Sequence, residues 1–447
     1  MKIAVYVLNK NAKQTYKKEC FNIRLNAGIS IVMDILRRQG YDIDFCSSAN
    51  VHNYDVVLFA VTSDCDWWPF IAERVKWQKG NYKVIVGGAG VLNVRPFLEF
   101  VDYFVLGRAE NVIDKLVKAI EADGEFEHES VVYSKKFDIN KKYKINQVQH
   151  IYAHDIVLEN GDKYHEDIIG CNHKCFFCGY TWQRKAVLDS VFEYSGLWNG
   201  GVDRERAILD INNGITLDWN KLRTTAIDGL SERLRFMVNK KISNDILIDF
   251  LQRLAKCEKP HRVKFYNIVG YPTETWDDWQ EFKNIIKIAD KDFAKQEKQT
   301  CIMLHNTPFR AMPATPLACA PMSYKNYRGK IAEILGKGTY KGGIFYQGNA
   351  MWAVDSGWTE SLPTVIQSAI VWRGTEADSD NIAKLALSKK FASANTAVKQ
   401  ATLAKYFDVK KLFGAFTLNE LPTRYLQTYA DYQKLAEIKG FVKGELF

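Results

Sequence analysis

The sequence predicts an α/β protein in which two regions of alternating strands and helices precede a mostly helical region. Three observations support this class. Short apolar, β-branched runs alternate with amphipathic stretches over residues 1–125, the alternation resumes over 150–322, and strand signals become rare over 323–447. Continuous apolar strands separated by helices are typical of parallel sheets covered on both faces. We therefore expect three domains with these bounds, the first two joined by a charged connector.

The first region predicts a doubly wound, Rossmann-like parallel sheet. Its expected strands are Ile3–Leu8, Ile43–Cys46, Val56–Val61, Lys83–Val86 and Tyr103–Leu106. Its expected helices are Ala27–Gln39, Pro69–Gln78 and Glu110–Glu121. Each helix follows a strand closely enough to cross back over the sheet.

The later regions repeat this pattern and then lose it. The second region predicts a strand ending at Ile168–Gly170 and two further strands, Ala207–Asn212 and Val263–Val269. Its expected helices are Asn244–Lys256 and Trp276–Ala289. The third region predicts helices at Tyr324–Leu335, Ser361–Trp372, Asp380–Leu387 and Thr396–Tyr406. The aromatic residues of that region are expected to pack in a core rather than to line a substrate pocket; they include Trp352, Trp358 and Trp372. Its lysines are expected on a solvated surface rather than an RNA-binding one; they include Lys389, Lys399 and Lys410.

Composition narrows the class of protein without deciding its function. The 447 residues are 47% hydrophobic and 25% charged, which excludes a disordered chain. The net charge of +9 fits an anionic partner as well as an ordinary soluble protein. No apolar run approaches the roughly 18 residues that cross a bilayer, and Met1–Leu8 lacks the features of a signal peptide. We expect a cytoplasmic protein without a membrane partner, in which the nine cysteines favour metal ligation over disulfides.

Three of those cysteines form a compact cluster. Cys171, Cys175 and Cys178 have C-x3-C-x2-C spacing directly after a predicted strand. Four cysteines saturate a cubane iron–sulfur cluster, whereas three leave one iron open to a substrate or cofactor. The alternative is a structural zinc site, which needs four closed ligands. His173 lies between the first two thiols, but no second pair of zinc ligands follows.

With Phe177 before its third cysteine, this segment resembles the cluster motif of radical S-adenosylmethionine (SAM) enzymes. The resemblance implies a partial (β/α)6 TIM-type barrel and a [4Fe–4S] cluster held by Cys171, Cys175 and Cys178. It also implies that SAM chelates the open iron, with Phe177 flanking the adenine. One electron from an external flavodoxin- or ferredoxin-like reductant would then cleave SAM to a 5′-deoxyadenosyl radical.

Further segments resemble SAM-binding motifs of the same family. The stretch 226–241 is similar to the strand 4 segment, which implies that Ser231 and Arg233 contact the methionine carboxylate. The alternative is that Ser231 caps a helix beside a solvated charged face. The stretch 267–275 is similar to the strand 5 motif, which implies that Ile268 and Gly270 bind the cofactor near its adenine. Asn212 stands where the family binds the methionine amino group, although the usual acidic residue is missing.

The stretches 84–90 and 102–110 resemble the cobalamin-binding domain that precedes many of these enzymes. The resemblance implies that Gly87, Gly88 and Gly107 let the backbone approach a corrin. The sequence departs from that domain in two ways: Arg108-Ala109 replaces the usual Glu-Gly, and the D-x-H-x-x-G motif is absent. The alternative is therefore a domain that keeps the fold but does not bind the cofactor. A further interpretation is a second cluster on Cys20, Cys46 and Cys65, as in methylthiotransferases of this superfamily, although buried free cysteine is common.

These patterns predict an enzyme that generates a radical from SAM and modifies an unactivated C–H position of its substrate. Cobalamin-dependent methylation is one outcome, and methylthiotransferase-like or other nucleic-acid modification is an alternative. A zinc- or cluster-binding nucleic-acid protein without radical chemistry is the alternative from another class. The substrate is not identified by any motif, and nucleic acid is one candidate.

Overall fold

The structure is a computed structural model that describes residues 1–8, 27–157, 163–164, 166, 168–171, 173–184, 187–188, 197–198, 201–203, 208, 218–257, 262–296, 299–323, 333–335, 339–340, 343–354, 361–427 and 429–438. It is a mixed α/β structure with parallel sheets and helices packed on them, which confirms the predicted class. Cys20, Asn212 and Trp358 lie outside the described residues. No described helix combines the length and apolar character needed to cross a membrane.

The first sheet has, among the described residues, six strands in the order β2-β1-β3-β4-β5-β6. Neighbouring strands from β2 to β5 are parallel, and β6 runs antiparallel to β5. The strands are β1 Ile3–Tyr6, β2 Ile43–Cys46, β3 Val56–Ala60, β4 Lys83–Gly87, β5 Tyr103–Val105 and β6 Val131–Tyr133.

Helices cover both faces of this sheet because alternate strand residues point to opposite sides. Ile3 and Val5 face a core that they share with helices α1 (Ala27–Arg38) and α3 (Ile113–Glu121). Ala4 and Tyr6 face a second core, which contains helix α2 (Trp67–Arg74). The continuous apolar runs noted in the sequence therefore serve two separate cores.

The second large sheet has the described order β11-β12-β13-β14-β15-β18-β17-β16. Strands β12 to β15 and β18 are mutually parallel, and the strands at both ends are antiparallel. From β7 onward the strands are Ile156–Val157, Lys163–Tyr164, Ile168–Ile169, Val187–Leu188, Leu197–Trp198, Gly201–Asp203, Leu222–Ala226, Arg262–Val269, Cys301–Pro308, Thr339–Tyr340, Gly343–Gln347 and Met351–Val354.

The helices of this central part include two that cover one face of the second sheet. Phe265 of β14 and Leu304 of β15 share an apolar core with helices α6 and α7, on which Phe250 and Trp279 are buried. The opposite face of the sheet is therefore left for other contacts. The central helices are α4 Gly179–Gln183, α5 Glu232–Met237, α6 Asn244–Ala255 and α7 Trp276–Asp290.

The C-terminal helices pack on the first sheet through α2. Trp372 and Leu403 share the core that contains Trp67, and Asn93 donates to the Val371 carbonyl at 3.1 Å. Trp352 and Trp372 are buried, which confirms core packing for these two aromatics. The helices are α8 Leu362–Arg373, α9 Ser379–Leu387, α10 Lys389–Ser393, α11 Thr396–Tyr406, α12 Val409–Phe413 and α13 Tyr429–Ile438.

The structure corrects the prediction in several places. Strands β16 to β18, between residues 339 and 354, join the central sheet, so the mostly helical character begins only at α8. Strand β6 was not predicted, because its three residues stand inside a charged connector and are extended through pairing with β5. Ile208, the one described residue of the predicted strand Ala207–Asn212, has helical backbone. The strand before the cysteine loop, β9, pairs only with β10 in the described sheets, so the six-fold barrel is not confirmed.

Candidate functional site

The three motif cysteines lie on one short loop between β9 and α4. Gly170 follows β9 with a φ of 69°, a left-handed conformation that glycine adopts without strain. Cys171 comes next, and Cys178 is the N-cap residue of α4. Cys175 is buried, whereas Cys171 and Cys178 are half-buried. The Cys171 thiol lies close enough to raise the pKa of Cys175 and of Cys178, so the fold brings the three predicted ligands together.

Burial makes these thiols hard to ionise without a compensating charge. It raises the pKa of Cys175 to about 12 and is also the largest cause of the raised pKa of Cys178. The backbone N–H groups of Thr181 and Tyr180 act in the opposite direction on Cys178, and the Lys240 ammonium does so on Cys175. Since the thiolate is the form that binds metal, the loop is suited to a buried cationic centre.

A turn after α5 holds the cysteine loop through the backbone. The Phe176 N–H donates to the Val238 carbonyl at 2.8 Å. The Asn239 side-chain amide donates to the carbonyls of Lys174 at 2.9 Å and His173 at 3.3 Å. These bonds anchor the loop to the part of the chain that follows β13.

Helix α4 holds the same loop from its other side. The Trp182 Nε1 donates to the Cys175 carbonyl at 2.8 Å, and the Thr181 hydroxyl donates to the Cys171 carbonyl at 2.6 Å. Lys174 donates to the Thr181 carbonyl at 2.9 Å, with its ammonium 5.4 Å from the centre of the Trp182 ring. The loop is thus clamped by groups other than its sulfur atoms, which stay available as ligands.

Sequence reasoning missed an ion pair that lies beside the thiols. Lys240 is buried, and its ammonium pairs with the Asp228 carboxylate. Burial lowers the pKa of Lys240, but Asp228 and the thiols of Cys175 and Cys178 outweigh burial, so its net pKa is raised. Asp228 has a φ of 50°, and its carbonyl accepts a hydrogen bond from the Tyr271 hydroxyl at 2.9 Å. Opposite charges on either side of a short helix were the only sequence signal for this pair.

Ser231 and Arg233, the predicted carboxylate ligands, are both engaged by Asp278. Ser231 is buried and N-caps α5 by accepting from the Leu234 N–H at 3.2 Å, while its hydroxyl donates to Asp278. Arg233 donates to Asp278 at 2.6 Å and to the Thr273 carbonyl at 2.9 Å. The structure therefore contains the helix cap that the sequence left as an alternative. Contact of either residue with SAM stays a prediction.

A buried carboxylate shapes the turn at Gly270. Gly270 has a φ of 81° at the end of β14. Its N–H donates to Glu274 at 2.7 Å, as does the Tyr271 N–H at 3.3 Å, and the Trp279 Nε1 donates to the second carboxylate oxygen at 3.0 Å. Burial nevertheless raises the pKa of Glu274 to about 8. The turn that follows β14 is thus built around one side chain.

Phe177 and Ile268, both predicted near the adenine, pack half-buried against the same apolar core as Met312. The Met312 sulfur accepts a hydrogen bond from the Gly179 N–H at 3.1 Å, which ties that methionine to the residue after Cys178. Phe177 and Met312 therefore lie at the cysteine loop, and Ile268 packs against the same core. Their contact with adenine is not tested by this geometry.

The sheet face opposite α6 and α7 carries polar and aromatic side chains. Tyr266 of β14 and His305 of β15 are opposite each other in the parallel register, with ring centres 5.3 Å apart. The Lys264 ammonium lies 4.5 Å from the centre of the Tyr266 ring. Sequence reasoning did not select these residues, although their alternation with buried Val263 and Phe265 was visible in β14.

A cavity of about 250 Å³ lies at the carboxyl ends of β3, β4 and β5. Gly87, Gly88 and Gly107, the predicted cobalamin-binding residues, all line it. Tyr180 and Arg184 line the same cavity from the side of α4. The first sheet and α4, the helix that follows the cysteine loop, therefore share one cavity, which the sequence did not predict.

Packing within the chain accounts for two of these glycines. A Cβ on Gly88 would lie 2.3 Å from the Val61 carbonyl oxygen, and one on Gly107 would lie 2.4 Å from the Asn146 carbonyl oxygen. Both residues also have positive φ, 111° and 84°. A Cβ on Gly87 would meet nothing closer than 3.6 Å. Glycine is thus required at two positions without any cofactor.

The part of the cavity that the described residues line is smaller than a corrin. Its 250 Å³ is below the roughly 300–1,000 Å³ typical of pockets for drug-sized ligands, and a corrin is larger than those ligands. The first strand–helix loop, which begins after β1, lies outside the described residues.

No disulfide links the described cysteines: all eight, the three of the motif included, are free. Cys46 is buried and Cys65 is exposed, while Cys20 is not described, so the second-cluster interpretation is not tested. No three His, Cys, Asp or Glu side chains in the described ranges form a group that could hold one metal ion. An iron–sulfur cluster binds each thiolate through a different iron atom, so its ligands need not converge on one point.

No family model matches the chain. The uncharacterized protein MJ0966 of Methanocaldococcus jannaschii is 26% identical over 302 residues, which cover 55% of this chain and 66% of that protein. The chain therefore spans slightly less than two thirds of this relative.

Two solved radical SAM enzymes show weak structural similarity. The methyltransferase TsrM of Kitasatospora setae, with tryptophan and a SAM analogue bound, has a TM-score of 0.26 and 11% identity, covering 68% of this chain and 58% of TsrM. The cobalamin-dependent enzyme OxsB has a TM-score of 0.22 and 11% identity, covering 98% of this chain and 60% of OxsB. The chain thus spans about three fifths of each solved structure, at TM-scores too low to establish a shared fold.

Proposed function

We propose that this protein is a radical SAM enzyme that holds a [4Fe–4S] cluster on Cys171, Cys175 and Cys178. The observation that carries the proposal is the three-thiol loop, clamped through its backbone beside the buried ammonium of Lys240. When bound, the cluster and SAM would supply a 5′-deoxyadenosyl radical that attacks an unactivated C–H bond. The electron would come from an external flavodoxin- or ferredoxin-like protein.

The residues around the loop perform three tasks in this proposal. Lys240, held by Asp228, balances the negative charge of thiolates in a buried site, where charge interactions are stronger than in water. Glu274 holds the turn at Gly270. The half-buried side chains of Phe177 and Ile268 provide an apolar wall that limits access of water to a reactive species.

The sheet topology supports the same proposal. The order β2-β1-β3-β4-β5 is one of the common orders of doubly wound sheets. The second sheet contains five neighbouring parallel strands, β12 to β15 and β18. A run of parallel strands is the central feature of a partial barrel. We place the substrate on the face that carries Tyr266 and His305, since α6 and α7 cover the other face.

Reductive cleavage of SAM by the reconstituted protein tests the proposal. Protein purified and loaded with iron and sulfide without oxygen should be brown, contain about four iron atoms per chain and form 5′-deoxyadenosine when reduced. Cys175→Ala should lose the cluster and the product. Cys257→Ala, which changes a half-buried cysteine on the loop after α6, is the matched control and should retain both. Equal product from wild type and Cys175→Ala would refute the proposal.

The zinc alternative gives a different result in the same experiment. A zinc protein would be colourless, would contain about one zinc ion per chain and would form no 5′-deoxyadenosine. A nucleic-acid substrate would show itself by RNA or DNA binding that weakens steeply with salt.

Cobalamin is not required for this chemistry, because rearrangement, oxidation or insertion proceeds without it. Equilibrium dialysis against hydroxocobalamin separates the two forms of the proposal. Saturable binding would favour methylation, whereas no binding at saturating ligand would favour a first domain that keeps the fold alone.

A further inference from the structure

Arg184 is a partly buried cation at the wall of the cavity between the first sheet and α4. Its guanidinium carbon lies 4.3 Å from the centre of the Tyr180 ring. Its Nη1 is buried and has no hydrogen-bond partner in the described part of the chain. Burial lowers the pKa of Arg184, which means that keeping the guanidinium charged at this place costs free energy. A nearby anion would relieve that cost.

The carboxylates near this cavity are engaged by another arginine. Arg108 donates to both oxygens of Glu166 at 2.7 Å, and it also pairs with Glu110. Glu166 additionally accepts from the Tyr152 N–H at 3.1 Å. Neither carboxylate forms an ion pair with Arg184 among the described residues. Arg184 therefore has no ion-pair partner among the described residues that line the cavity, although Glu166 acts electrostatically on it.

The remaining walls define the rest of the ligand. They are mostly apolar and come from the strand ends of the first sheet and from α1 and α3. The apolar lining side chains are Ile29, Val32, Leu58, Ile85, Val105 and Ile113. A volume of about 250 Å³ admits a small molecule with an apolar part on these walls. Because Arg184 ends α4, the helix that begins directly after Cys178, the charged end of that molecule would lie on the α4 side of the cavity.

We propose that this cavity binds a small amphipathic acid whose carboxylate or phosphate group pairs with Arg184. A planar guanidinium matches either oxyanion with two parallel hydrogen bonds. The apolar part of the molecule lies against the strand ends. The acid is a ligand separate from the substrate placed on the face of Tyr266 and His305, and its binding needs neither the cluster nor SAM.

Ligand titrations followed by thermal unfolding test this site on the full chain without SAM or reductant. The probes are hexanoate, hexyl phosphate and, as the uncharged counterpart, hexan-1-ol, all at constant ionic strength. Saturable stabilisation by hexanoate identifies a carboxylate ligand, and saturable stabilisation by hexyl phosphate identifies a phosphate ligand. No saturable effect of either acid, or an equal effect of hexan-1-ol, overturns the proposal.

Two arginine variants locate the effect. Arg184→Gln should weaken the apparent affinity about tenfold or more, since it removes a charge-assisted pair. Arg253→Gln is the matched control, because Arg253 is exposed on α6 and pairs with Asp249. Unchanged affinity in Arg184→Gln overturns the proposal.

A measurement on the wild-type protein covers the case in which Arg184→Gln does not fold. Phenylglyoxal modifies arginine, and peptide mass spectrometry reports its rate at each site. The acid that binds should slow modification at Arg184 and leave Arg253 unchanged, and equal rates with and without it overturn the proposal. Acid binding without SAM cleavage would refute only the proposed function, and cleavage without acid binding would refute only this site.

Discussion

Replacing Glu274 by glutamine should remove a pH dependence from the free energy of unfolding. Burial raises the pKa of Glu274 from 4.5 to about 8 in the folded protein. Because the folded-state pKa is the higher one, the folded protein holds this proton more tightly than the unfolded chain does. The resulting stabilisation is complete below pH 4.5, decreases as the pH rises and is lost above about pH 8. The interval from 4.5 to about 8 corresponds to roughly 5 kcal/mol.

The glutamine variant keeps the turn but stays neutral at every pH. Its amide oxygen accepts the Gly270 N–H, whereas its NH₂ group cannot accept from the Trp279 Nε1. The variant therefore loses one hydrogen bond, about 1 kcal/mol, independently of pH. Urea unfolding followed by circular dichroism between about pH 5.5 and 8.5 should show a steep decline for the wild type and a flatter curve for Glu274→Gln. Parallel curves would refute the reasoning, and Glu129→Gln, which changes an exposed carboxylate, should reproduce the wild-type curve.

Three further predictions concern buried polar groups. Lys240→Met should destabilise the protein by about 3–5 kcal/mol because it leaves the Asp228 carboxylate unpaired. Adding Asp228→Asn should restore most of that loss in urea unfolding. Equal urea midpoints of the single and double variants would contradict the pairing. Ser231→Ala should cost about 1 kcal/mol as a lost helix cap, and unchanged SAM binding by equilibrium dialysis would refute its predicted contact with the methionine carboxylate. Arg373→Met should lower the thermal midpoint sharply, since the buried guanidinium donates to four backbone carbonyls, those of Ala318, Ala320, Leu412 and Gly414. A midpoint within experimental error of wild type would contradict this structural role.

The sequence predicted those elements whose residues show a clear period. Thr396–Tyr406 begins and ends where predicted, and Asn244–Ala255 ends within one residue of the prediction, because both helices start at a polar cap and carry their own boundary signals. The residues of β6 and of β16 to β18 lack such signals, and each becomes a strand through pairing with a distant neighbour. Local pattern therefore sufficed for autonomous elements and failed where pairing partners decide.

The candidate site divides in the same way. Cys171, Cys175 and Cys178 were predicted together because all three stand on one loop, where spacing in the chain nearly equals spacing in space. The role of Ser231 was divided between a cap and a ligand, since the sequence does not show what its hydroxyl meets. Asp278, which accepts that hydroxyl, comes from a helix far along the chain.

By itself, the sequence determined the α/β class and singled out the loop of three cysteines, because both follow from residue type and short-range spacing. Only the tertiary structure decided that Lys240 and Asp228 form a buried pair beside those thiols and that Arg184 lines a cavity shared with the first sheet. These features depend on which charges the fold buries and on which of them it pairs. Burial changes the cost of a charge far more than any local pattern does, so these charged side chains gain their roles only when the chain folds.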